Sequence, residues 1–189
     1  MIASPTKIPG LLSISVSRHG DGRGFFAETY SHRAYAQAGI ETVFVQDNHS
    51  VSEFAGTVRG LHYQSPPHAQ AKLVRCGRGS LFDVAVDIRV GSPTYGQWHG
   101  EVLSSENGRQ LYIPSGFAHG FVTLEDDTEI VYKCSDFYAP ECEGAVRFDD
   151  PDIGIDWPII DRSTTISERD AIAPLLGDVT SPFNFEAWT

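Results

Sequence analysis

The run from Phe82 to Arg89 constrains the fold more than any other stretch of the chain. Phe82, Val84, Val86 and Ile88 alternate with Asp83, Ala85, Asp87 and Arg89, giving one apolar face and one largely polar face. A period of two marks a β-strand, whose successive side chains point to opposite sides of the sheet. Short runs, most of them rich in Val, Ile, Phe and Tyr, recur at residues 11–17, 23–30, 43–51, 57–64, 71–76, 81–90, 98–104, 110–113, 119–124 and 129–137. Turn residues punctuate them, among them Gly20-Asp21-Gly22, Pro66-Pro67, Gly91-Ser92-Pro93, Pro114-Ser115-Gly116 and Asp126-Asp127. Strands of this length and spacing predict an all-β sandwich or closed barrel.

Only two segments read as helices. Ser31 is placed to cap a short helix running through Gln37 and ending at Gly39. Ser167 is placed to cap a second, over 168–176, with Glu168 and Asp170 in the first turn, where the helix dipole favours negative charge. Pro174 limits its length. Residues 149–165 are Pro- and Asp-rich but too few to separate domains, so 1–189 is expected to form a single domain, with 177–189 unassigned.

Composition narrows the function classes. Net charge is −11, the opposite of what a nucleic-acid backbone binder usually carries. An anionic small ligand stays possible, because local arginines decide that contact. No apolar run approaches the ~20 residues of a membrane span. The first twelve residues, with Pro5 and Pro9, do not read as a secretory signal, so the expected location is the cytoplasm. Cys76, Cys134 and Cys142 are odd in number and hold no C-x-x-C, which predicts buried free thiols.

Polar residues on barrel strands are solvated if they point outward and paired or functional if they point inward. Gln46 and Asn48 share a face of their strand. Lys72 shares one with Val74 and Cys76, Tyr132 with Ile130 and Cys134, and His119 with Phe121 and Thr123. If these faces meet in one mouth, a proton-transfer site results. Taken singly, His62, His119 and Tyr132 are more often satisfied structural residues. Arg23 and Arg59 are phosphate-clamp candidates that read equally as surface charge. An H-x-H pair would favour a metal on such a strand, but the run here is His62-Tyr63-Gln64.

Several longer motifs are specific. Arg23-Gly24-Phe25-Phe26, Phe44-Val45-Gln46-Asp47-Asn48-His49-Ser50, Arg59-Gly60-Leu61-His62-Tyr63-Gln64 and Lys72-Leu73-Val74-Arg75 resemble the dTDP-4-dehydrorhamnose 3,5-epimerase family. So do the run from Phe82 to Arg89, Gly116-Phe117-Ala118-His119-Gly120-Phe121, Tyr132-Lys133 and Asp170-Ala171, all in matching order. The resemblance implies an all-β, cupin-like jelly-roll barrel with a few short peripheral helices. It also implies a homodimer with shared site residues and a reaction without metal or other cofactor. That reaction inverts the two carbons flanking the ketone of a dTDP-4-keto-6-deoxyhexose.

Roles follow position by position. By resemblance, His62 is the base, Asp170 its paired acid, Tyr132 the proton donor on the opposite ring face, and Lys72 the group beside the developing enolate. His119 and Arg59 contact the substrate or its phosphates. Arg23, Glu28, Gln46 and Asn48 match nucleotide-side positions, some supplied by the neighbouring subunit, and Phe26 matches a further substrate-binding position. Tyr138 matches an aromatic that stacks on thymine, and Glu143 and Arg169 match further binding positions.

Three alternatives stand beside this expectation: an epimerase of one carbon only, a non-catalytic sugar-nucleotide binder, and a metal-dependent cupin enzyme. One local distortion is also expected. Arg59 and His62 are three apart and would face opposite ways on a regular strand, so a bulge at Gly60 is needed to bring both to one site.

Overall fold

The computed structural model describes residues 1–158 and 164–185. Thirteen strands run in chain order: β1 (Ile2–Pro5), β2 (Leu12–Ser15), β3 (His19–Asp21), β4 (Gly24–Phe26), β5 (Gln46–Ser52), β6 (Val58–Gln64), β7 (Lys72–Arg78), β8 (Ser80–Asp87), β9 (Trp98–Ser104), β10 (Arg109–Ile113), β11 (Phe117–Thr123), β12 (Thr128–Cys134) and β13 (Glu143–Ala145). Two short α-helices accompany them, α1 (His32–Gln37) and α2 (Glu168–Ala171).

The strands form a six-stranded sheet, β1-β2-β10-β7-β12-β5, and a five-stranded sheet, β13-β6-β11-β8-β9. Every pairing within them is antiparallel. Non-consecutive neighbours in both sheets give the jelly-roll order, so the expected all-β, cupin-like fold is what forms. β3 and β4 make a separate hairpin.

The core lies between the two sheets. Val74 and Cys76 of β7, Leu111 of β10 and Ile130 of β12 meet Ala85, Phe117 and Phe121 from the facing sheet. Each fully buried aliphatic side chain of this kind contributes about 1.5–3 kcal/mol. A second apolar layer covers the outside of the five-stranded sheet. There Val84 and Val86 of β8, with Ile88 just beyond it, pack with Val146, Ile153, Leu176 and Phe183. A third, smaller layer places Tyr35 of α1 and Ile40 against Ile14 and Leu73.

This layering revises the reading of β8. Its polar face does not meet solvent: Asp83 and Asp87 are fully buried and Arg89 nearly so. Both sides of the strand are covered, so each charge has a dedicated partner. The Arg89 guanidinium forks onto Asp87 at 2.7–2.8 Å and lies over the rings of Phe117 and Phe185.

Other expectations shift at their edges. The strand expected over 23–30 is only β4, in the exposed hairpin. The second helix stops at Ala171, well before Pro174, and a 3-10 turn at Leu176–Asp178 replaces its end. Ser31 precedes α1 but its side chain makes no cap, whereas the Ser167 Oγ accepts from the Asp170 N–H at 3.1 Å. The C-terminal residues left unassigned strap the end of β8: Val90 N–H donates to the Phe183 carbonyl and Phe185 N–H to that of Val90, both at 2.9 Å. All three cysteines are buried and free. No helix of the described residues is long and apolar enough to cross a membrane.

Candidate active site

The chain places His62 on β6, Lys72 on β7, His119 on β11, Tyr132 on β12 and Asp170 on α2 around one cavity of about 530 Å³. Arg59 and Arg169 line it as well. Lys72, Tyr132 and His119 sit on the inward faces of their strands because an apolar neighbour two positions away fills the core beneath each. Val74 lies below Lys72, Ile130 below Tyr132 and Phe121 below His119.

β6 needs the distortion expected from its sequence. Opposite β11, Phe121 pairs with Arg59 but His119 pairs with His62, so three steps on β6 match two on β11. The slack is taken up at Gly60, whose φ is +115°. A Cβ there would stand 2.6 Å from the Gly120 Cα, and one on Gly120 would stand 2.7 Å from the Arg59 carbonyl. Two glycines facing one another are what the bulge requires. The bulge turns Arg59 and His62 to the same cavity and directs the Gly60 N–H to Asp170 Oδ2 at 3.1 Å.

Asp170 Oδ1 meets His62 Nε2 at 2.7 Å. An ionised carboxylate can only accept, so Nε2 carries the proton and Nδ1 keeps its lone pair. Asp170 is buried while the His62 side chain keeps 31% of its surface open. A base with a fixed tautomer and a reachable nitrogen results.

His119 pairs in the same way with Asp83, Nε2 to Oδ1 at 2.8 Å, but both partners are buried. Desolvation pushes the His119 pKa down. The Asp83 charge and hydrogen bond oppose that shift, and Lys72 and His62 add to it. Burial also pushes the Lys72 ammonium down, against electrostatic interactions with Cys134, Asp83 and Glu143. It pushes the Tyr132 phenol up, with Cys134 adding and the Asn48 hydrogen bond and Arg59 opposing. A phenol raised in this way stays protonated and can donate at neutral pH.

A second group borders this cavity. Arg169 ion-pairs with Glu143 at 2.8 Å, and Glu143 accepts from the Tyr138 hydroxyl at 3.2 Å. The Tyr138 N–H donates to Gln46, which donates to Asn48. Gln46, Asn48, Tyr138, Glu143 and Arg169 therefore form one connected chain of contacts. Arg23, Phe26 and Glu28 stand apart from it, on or just after the exposed hairpin. The Arg23 side chain is 91% exposed and Phe26 71%. Within one chain they do not reach the cavity.

Sequence reasoning did not mark Asp83, Ser50 or Ser167 as site residues. Ser50 and Ser167 line the cavity. Asp83 could have been singled out as a charge at an alternating position of an otherwise buried strand. Among the described residues no group of three His, Cys, Asp or Glu side chains is arranged to hold a metal ion.

Residues 5–178 match the family described as dTDP-4-dehydrorhamnose 3,5-epimerase. The chain belongs to that family. It is 50% identical over 177 residues to the dTDP-4-dehydrorhamnose 3,5-epimerase of Salmonella typhimurium, covering 93% of this chain and 96% of that one. A dTDP-6-deoxy-D-glucose-3,5-epimerase from Legionella pneumophila, solved with dTDP-4-keto-L-rhamnose, superposes with a TM-score of 0.93 at 46% identity, over 98% of this chain and 99% of that one. A 3'-monoepimerase from Streptomyces bikiniensis, solved with dTDP-quinovose, superposes with a TM-score of 0.86 at 40% identity, over 92% and 87%.

Proposed function

We propose that the protein converts dTDP-4-dehydro-6-deoxy-D-glucose to dTDP-4-dehydro-L-rhamnose by inverting both carbons beside the ketone. The observation that carries this is the His62–Asp170 pair at 2.7 Å, open to a cavity that Lys72 and Tyr132 enter from the opposite sheet.

The chemistry follows from that placement. A hydrogen beside a ketone is weakly acidic, and its removal leaves an enolate whose charge gathers on oxygen. His62 Nδ1 takes the proton, and Asp170 stabilises the imidazolium that forms. The Lys72 ammonium, partly buried in the cavity wall, stabilises the enolate oxygen, where such a charge acts more strongly than in bulk solution. Tyr132 returns a proton from a different strand, on the other face of the ring, and the carbon is inverted.

Binding follows the same logic. Arg59 and Arg169 supply positive charge for the diphosphate in a chain of net charge −11. Tyr138, Gln46, Asn48 and Glu143 offer a stacking ring and hydrogen bonds for the nucleoside. Arg23, Phe26 and Glu28 complete the site of a second copy in a homodimer. Their exposure on the projecting hairpin supports that role.

A second possibility is inversion of one carbon only, which the likeness to the Streptomyces 3'-monoepimerase supports. Incubation with the dTDP-4-keto-6-deoxyglucose substrate in deuterated water separates the two. Label at both flanking carbons is expected. Label at one assigns the single-carbon reaction, and binding without label refutes catalysis.

A further inference from the structure

Behind the cavity wall, Asp83 is fully buried with one oxygen engaged and one idle. Its Oδ1 accepts from His119, while its Oδ2 has no hydrogen-bond partner among the described residues. A buried carboxylate oxygen left without a partner is costly to desolvate, so its presence asks for a reason. Lys72, on the facing sheet, is partly buried in the cavity wall. Its ammonium makes no hydrogen bond or ion pair with any described residue, although burial pushes its pKa down.

The charged and titratable groups around Lys72 come from five strands. Cys134 and Tyr132 approach on β12, Asp83 on β8, His119 on β11, His62 on β6 and Glu143 on β13. Burial pushes the Cys134 thiol up and holds it neutral. Glu143 is taken by Arg169, and His119 is pushed toward its neutral form. Asp83 is the buried carboxylate left with charge to spare.

We propose that Asp83 is a positioning residue for the epimerisation, whose uncommitted oxygen keeps Lys72 an ammonium while its other oxygen fixes the His119 ring beside it. Asp83 touches no substrate and acts through Lys72 and His119. This rests on the epimerase activity proposed above, since it gives that reaction its electrostatic catalyst in charged form.

The chain has only three lysines, Lys7, Lys72 and Lys133, so each side chain can be titrated by NMR with lysine labelled at Cε. Asp83→Asn keeps the shape and an acceptor for His119 but removes the charge. Asp83→Glu keeps the charge. In Asp83→Asn the Lys72 midpoint should fall by at least about one pH unit, as expected for losing a nearby opposite charge. The alkaline limb of kcat should move down with it, because Tyr132 is pushed the other way. At neutral pH kcat should drop at least about tenfold with KM little changed. Asp83→Glu should leave the limb in place. Should the Asn variant not hold its fold in a thermal melt, Asp83→Ser takes its place. An unmoved Lys72 midpoint in a folded, uncharged variant overturns the proposal, as does equal loss in the Asn and Glu variants with no shift of the limb. If the wild-type protein does not epimerise, the activity falls separately, because the Lys72 midpoint is read without turnover.

Discussion

Two His–Asp pairs stand side by side in this barrel, and they differ in almost everything but their geometry. His62 and His119 are cross-strand partners, and each meets its carboxylate through Nε2 at 2.7 and 2.8 Å. The first pair is built from a bulged strand and a four-residue helix 108 residues further on, and it opens to the cavity. Both of its carboxylate oxygens are satisfied, one by His62 and one by the Gly60 N–H. The second pair is built from two regular central strands and is sealed, with burial driving His119 toward the neutral form. The same two residue types thus leave an accessible ring nitrogen in one place and a sealed, fixed dipole in the other. Exposure and backbone distortion make the difference, not the pair itself.

Four substitutions break this comparison at different points. His62→Ala removes the accessible nitrogen and should lower turnover by at least about a thousandfold, within the range general-base catalysis supplies. Thermal melting should show the fold retained, since His62 is half-open. Tyr132→Phe removes only the opposing hydroxyl. Product formation should fall about a hundredfold. Hydrogen exchange at the carbon should persist, because the proton still leaves to His62; loss of exchange together with product would assign Tyr132 a part in abstraction.

His119→Gln probes the sealed pair and should cost about tenfold in kcat/KM, far less than the loss at His62. It should also change the response to acid. The folded-state pKa of His119 lies below the unfolded value near 6.5, so below about that pH the unfolded chain binds a proton that the folded chain refuses. Stability is therefore lost as pH falls through that window. The Gln variant should lose less, and parallel melting curves against pH would contradict this. Ser167→Ala removes the cap that fixes Asp170 on its short helix. About 1 kcal/mol of local stability should go, with a correspondingly small fall in kcat.

How much of this the sequence displayed depended on the length scale involved. The alternation in β8 was plain because a period of two is local, and so was the need for a distortion at Gly60. The fate of the polar face of β8 was not plain. Whether Asp83 and Asp87 meet water depends on what packs over them, which the opposite sheet decides on the side they share with Ala85. The same limit hid Asp83 as the partner of His119. The second helix was overextended because its periodic residues continue to Leu176, while the backbone turns after Ala171. β1, β3 and β13 are short edge or hairpin strands, too brief to show a period. Family motifs located His62, Lys72, Tyr132 and Asp170, and the structure brings all four to one cavity. It leaves Arg23, Phe26 and Glu28 outside, exposed on or beside the β3–β4 hairpin.

The contrast between the two pairs is tested most directly by solvent exchange. Wild type, His62→Ala and His119→Gln are incubated in parallel with dTDP-4-keto-6-deoxyglucose in deuterated water, and label is read at the two carbons flanking the ketone. The account predicts label at both carbons for wild type, slower label at both for His119→Gln, and none for His62→Ala. Exchange by His62→Ala at the wild-type rate, or its loss only in His119→Gln, would contradict it.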